Sequence, residues 1–131
     1  HYSKIINIEA QTMLELAHTQ LLPAVNAYMS EVATTAASKL AVSENLRVRS
    51  ETKALTRLSA DADAMRAAED ALQAADAAAQ ALTDASATAV AFHADVLPKM
   101  DALRAAADDA ETICGEDYWP LPSYSKMLYY V

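Results

Sequence analysis

Ala89-Val-Ala-Phe-His-Ala-Asp-Val-Leu-Pro-Lys-Met-Asp-Ala-Leu-Arg-Ala-Ala-Ala-Asp-Asp-Ala-Glu-Thr-Ile-Cys-Gly115 decides the fold class of this chain. Its apolar seam reads Ala89, His93, Val96, Met100, Leu103, Ala107, Ala110, Cys114, with gaps that alternate four and three. That is the spacing of a helix packed at a shallow angle on near-parallel neighbours. A strand shows one face at every second residue and could not present this row. Gly115 follows the last seam residue, where a left-handed cap calls for a residue without a side chain.

The same grammar extends upstream. Leu14, His18, Leu21, Val25, Tyr28 and Val32 form a second seam, and its string His18-Thr-Gln-Leu-Leu-Pro23 parallels His93-Ala-Asp-Val-Leu-Pro98. Each proline lacks an N–H and presses on the carbonyl four residues back, so both helices are predicted to kink, at similar height. Between them Leu55, Leu58, Ala62, Met65, Leu72, Ala75, Ala79 and Leu82 mark a middle helix whose many alanines combine close axis approach with high helix propensity. Ser43 or Asn45 suits its start, and the short polar run Thr83-Asp84-Ala85-Ser86 suits the break before the last helix. The reading is all-α: an antiparallel up-down-up bundle of three long helices over 6–38, 44–81 and 84–114, in a single domain 1–131. Without a break near Thr83, a helix on the order of 108 Å at ~1.5 Å per residue would leave its stripe uncovered in a monomer.

The last segment, 116–131, is unlike the rest. Two of the four prolines and the only tryptophan lie there, with Tyr118, Tyr124, Tyr129 and Tyr130. Pro120 and Pro122 set an extended course, Ser123 or Ser125 caps a short final helical turn, and Trp119 and Tyr124 are expected to anchor the tail on the bundle. Docking of Trp119-Pro-Leu-Pro-Ser-Tyr124 on a partner's aromatic groove is the weaker reading, because it leaves Tyr118, Leu128 and Tyr129 exposed.

Net charge is −8 with a pI near 4.7, which disfavours nucleic acid and anionic membrane surfaces as partners. No stretch offers about 18 consecutive apolar residues for a membrane span. One cysteine, Cys114, excludes an internal disulfide and reads as a reduced, buried thiol of a cytoplasmic protein. The chain lacks an initiator methionine and enters a helical pattern almost at once, so it reads as a fragment of something longer.

Chemistry is sparse. Glu15-x-x-His18 places two metal-type ligands on one helix face, but di-iron bundles use that motif twice and no second copy exists, so His18 reads as a seam histidine. His93-x-Asp95 reads likewise. Asp61-Ala-Asp63, Glu69-Asp70 and Asp108-Asp109 read as solvated faces. A chain with a single glycine has no phosphate-cradling loop. No catalytic, cofactor or metal-binding residue is assigned.

Three strings stand out together: Asn7-Ile-Glu-Ala-Gln-Thr-Met13 with Leu22-Pro-Ala24 and Tyr28; Ala91-Phe-His-Ala-Asp-Val-Leu-Pro98 with Met100 and Arg104; and Glu111-Thr-Ile with Tyr118-Trp-Pro-Leu-Pro-Ser-Tyr124 and Leu128. In this order they resemble the C-terminal domain of type III glutamine synthetases. The resemblance implies a large cytoplasmic oligomeric ligase of nitrogen metabolism that joins ammonia to glutamate with ATP and divalent metal, Mg or Mn, all held upstream of this domain. It implies a non-catalytic structural or assembly role, with the catalytic domain of the same polypeptide and other subunits as partners. The structural residues are then Pro23, Tyr28, Pro98, Met100, Arg104, Gly115, Trp119, Pro120 and Tyr124, with Arg104 expected to pair with an acid or carbonyl near the tail. The alternative is an independent acidic helical module that binds a protein partner.

Overall fold

The computed structural model describes residues 2–122, so Tyr124, the short final turn and its Ser123 or Ser125 cap lie outside the described residues. The described residues are helical with no strand. Helix α1 (2–42) joins Tyr2–Leu16, a π turn Ala17–Leu21 and Leu22–Val42; α2 is Arg49–Gln80; α3 (85–113) joins Ala85–Ala91, a second π turn Phe92–Val96 and Leu97–Ile113.

The helices are longer or shorter than the sequence pattern suggested for local reasons. Helix α1 continues to Val42 because alanine and lysine carry the helix past Ser38, and it ends where Ser43 turns extended at φ −160° and ψ 132°. Ser43 is therefore the end of α1 and not the cap of α2; its Oγ accepts from the Asn45 amide at 3.2 Å. Helix α2 starts at Arg49 and not at residue 44. The Lys39 ammonium spans the turn, donating to both Glu51 carboxylate oxygens at 2.7 and 3.0 Å and to the Arg47 carbonyl at 3.3 Å. Lys39 also holds the Glu51 carboxyl below the usual carboxylate range. The α2–α3 turn closes on Asp84, whose side chain accepts from the Ala87 amide at 2.9 Å.

Residue pairs across the helices fix their directions. Lys39 meets Glu51 while Gln11 meets Asp76 and Asn7 meets Gln80, so numbers fall along α1 as they rise along α2. Arg57 of α2 binds Asp109 near the end of α3. Helices α1 and α3 run in the same sense, with Met13 beside Arg104 and Tyr28 beside Gly115.

Both prolines follow a π turn. In a regular α-helix Pro23 would leave the Thr19 carbonyl without a donor; instead the Leu22 amide reaches back five residues to Ala17 O, and the Leu97 amide to Phe92 O. Each π turn inserts one residue, so the inward face upstream of it moves by one position. Ala17 and Phe92 are therefore buried where His18 and His93 were expected, and both histidines are exposed. Ala89, at the upstream end of that seam, is exposed as well.

Downstream of the second π turn the seam holds without a break through Val96, Met100, Leu103, Ala107, Ala110 and Cys114. With Val25, Leu58, Met65 and Leu72 they form one core between the three helices. Each large side chain there contributes roughly 1.5–3 kcal/mol relative to exposure.

Candidate functional site

Helix α2 packs on both of the other helices and carries the buried polar groups. Glu69 and Asp76 lie seven residues apart in the same stripe as Leu58, Ala62, Met65, Leu72 and Ala79, and both are buried. Glu69 is thus not part of a solvated face, and Asp76 lies outside the three acidic runs of the sequence. The heptad itself held the signal, because they fill the gaps that the apolar seam leaves.

The two carboxylates are treated differently by the fold. Asp76, 1% exposed, accepts from Gln11 Nε2 at 2.7 Å and Gln80 Nε2 at 2.6 Å, and with the Asn7 amide nitrogen turned toward it, from Asn7 at 2.8 and 3.0 Å. Neutral amide donors thus replace the water that burial removes. Glu69, 5% exposed, has no hydrogen bond to either oxygen among the described residues. Arg66 Nη1 lies 3.4 Å from Oε2 and His18 Nδ1 4.0 Å from Oε1, and both side chains are largely exposed. A cleft of about 460 Å³ opens beside it, between α1 and α2.

On the α3 side of α2, Asp61 faces Asp109, which also binds Arg57. Burial and the neighbouring Asp109 carboxylate push the Asp61 carboxyl up to about 6, whereas Asp61 and Arg57 hold Asp109 below the usual range. Asp61 and Asp109 are thus a coupled interhelical pair and not freely solvated acids.

The end of α3 is built around an aromatic contact. Cys114 leaves the helix with φ −63° and ψ 134°, and the Tyr118 and Trp119 amides return to the Gly115 carbonyl at 2.9 and 3.2 Å. Gly115 does not adopt positive φ, so it is no left-handed cap. It is glycine because the Tyr28 ring lies on it: an added Cβ would meet Tyr28 Cε1 at 2.8 Å. Tyr28 and Tyr118 stack edge to face at 5.4 Å, and Glu31 beside the Tyr118 hydroxyl raises its pKa. Burial pushes the Cys114 thiol up.

Trp119, 8% exposed, lines a cavity of about 260 Å³ between α1 and α3 with Met13, Leu21, Leu103 and Ala107. Its Nε1 has no partner among the described residues. Met100 is buried, and Pro23, Pro98 and Pro120 are exposed. Arg104 pairs with Asp101, the carboxylate one turn back on its own helix, at 3.2 Å and rests 3.8 Å from Met13 sulfur; most of the tail that was expected to pair with it lies outside the described residues. Among the described residues no group of three His, Cys, Asp or Glu side chains could hold a metal, and no helix is long and apolar enough to cross a membrane.

A family profile described as Glutamine synthetase C-terminal domain matches residues 1–40. Over 129 residues the chain is 31% identical to a protein named Glutamine synthetase from Butyrivibrio fibrisolvens, covering 98% of this chain and 18% of that relative. The chain thus spans about a fifth of the length of the curated relative it matches. No solved structure matches the chain significantly. The chain belongs to the glutamine synthetase C-terminal domain family.

Proposed function

We propose that this glutamine synthetase C-terminal domain is a non-catalytic structural piece of a type III enzyme, packed against the catalytic part of the same polypeptide and shaping contacts between subunits. In this reading the three helices are an up-down-up bundle of a single domain, bent at Pro23 and Pro98, with its aromatic tail folded back on it. Pro23, Tyr28, Pro98, Met100, Arg104, Gly115, Trp119, Pro120 and Tyr124 keep its shape, and ATP and divalent metal belong to the catalytic part of a cytoplasmic parent.

The observation that carries the reading is an apolar end. Tyr2, Ile5 and Ile8 on α1, Leu82 in the α2–α3 turn and Val90 on α3 are all exposed, at the end of the helices where Asn7 meets Gln80. Apolar side chains gathered at one end mark a surface that another part of a protein covers. The match to 18% of a synthetase supplies the candidate cover, because most of that relative lies outside the matched region.

The test is the pair Ile5→Asp and Ile8→Asp in the full-length gene product. Loss of oligomer and of glutamine formation, with the thermal melt of the isolated domain unchanged, is the expected outcome. Wild-type assembly and activity in the double variant would overturn the reading.

A further inference from the structure

We propose that Glu69 is the floor of a binding site for a guanidinium or ammonium group borne on a flexible alkyl chain. The inference is independent of the parent enzyme and rests on the contrast between two buried carboxylates of one helix. Asp76 is supplied with amide donors by Asn7, Gln11 and Gln80. Glu69 is almost as buried, yet neither oxygen receives a hydrogen bond among the described residues. A carboxylate shut off from water without donors is costly unless a cation answers it.

The groups near Glu69 give the chemistry of that cation. Arg66 comes within 3.4 Å without completing a hydrogen bond, and its side chain is more than half exposed, so an incoming cation can replace it at Glu69 while the Arg66 guanidinium stays in water. His18 stands at 4.0 Å on the opposite helix. The cleft beside them, about 460 Å³, is also lined by Glu15 and Asp70, which place two further carboxylates around it. A planar guanidinium entering there can give two parallel hydrogen bonds to Glu69, which Arg66 does not make. The amide oxygens of Gln11 on α1 and Gln73 on α2, which also line the cleft, can accept the remaining donors. An anion would meet three carboxylates, and among the described residues the metal-type ligands do not gather in a group of three.

The experiment titrates the isotope-labelled domain with capped arginine amide and, in a second arm, with spermidine, following amide shifts by NMR at low salt. Saturable shifts confined to residues 11–19 and 66–73 are expected, with affinity lowered at least tenfold by Glu69→Gln and no more than threefold by Glu15→Gln. The tighter-binding arm distinguishes a protein side chain from a free polyamine as the source of the cation. Diffuse or non-saturable shifts, or equal losses in the two variants, would mean only general attraction to an acidic chain and would overturn the proposal. Both substitutions remove a charge without removing volume, and a thermal melt of each checks that the fold is retained.

Discussion

Gly115 lies against the ring of Tyr28, so close that a Cβ on the glycine would stand 2.8 Å from Tyr28 Cε1. The contact joins the end of α3 to the middle of α1 and sets where Tyr118 and Trp119 begin. Gly115→Ala is expected to destabilise the domain by about 1–2 kcal/mol through overpacking, read from urea unfolding. Combined with Tyr28→Ala, the cost of the alanine at 115 should largely vanish, giving a coupling energy above about 0.5 kcal/mol. Additive losses would show that the ring is not the obstacle.

Asp61 gives the domain an inverted pH response. Its folded pKa is raised from 3.8 to about 6, so between those values the folded state binds more protons than the unfolded chain. The stabilisation is complete below pH 4 and is lost as pH rises through 6. Asp61→Asn should flatten that slope and stabilise the protein at pH 7 by about 1 kcal/mol after allowing for solvent screening. Glu51 and Asp109, both lowered, act in the opposite sense, and their contribution is lost on acidification. Denaturant midpoints from pH 4 to 7 measure the difference.

Gln11 is one of the α1 donors that join Asp76 across the helix interface. Gln11→Ala removes one hydrogen bond to a buried charge and should cost about 1.5–3 kcal/mol. Thr12→Ala, one position along and exposed, should cost under about 0.5 kcal/mol. Similar losses at the two positions would mean that the amide cage adds little.

Trp119 separates volume from polarity. Trp119→Ala should cost about 3–5 kcal/mol, because it deletes a buried aromatic side chain and enlarges the cavity it lines. Trp119→Phe should cost under about 1.5 kcal/mol, since no partner of the indole nitrogen is lost among the described residues. Chemical denaturation followed by far-UV circular dichroism distinguishes the two.

The π turns can be tested by deletion. Removing Ala94 while replacing Pro98 with alanine shortens the second π turn to an ordinary helical turn and leaves Phe92 and Met100 facing inward. Removing Ala105 from the regular part of the same helix rotates everything beyond it by about 100°. The first variant should unfold cooperatively within about 2 kcal/mol of wild type, and the second should lose its cooperative transition. Equal damage would mean that the π turns are not one-residue insertions.

The sequence determined the helices, because alanine-rich text with heptad seams has no other low-energy form. It also pointed to the seam from Val96 to Cys114, where the helix is regular and spacing maps directly onto a face. Spacing failed where the helix is not regular: one inserted residue before each proline exchanged His18 for Ala17 and His93 for Phe92. It also failed where a residue type suggested one environment and the helix position imposed another. Glu69 and Asp76 are buried because α2 is covered on both sides, and whether a carboxylate on such a stripe finds amides or stands bare depends on the facing helix. Gly115 is the sharpest case. Its place at the end of a helix was legible from the chain, whereas the reason for glycine came from an aromatic ring 87 positions earlier, brought against the backbone by the packing of α1 on α3.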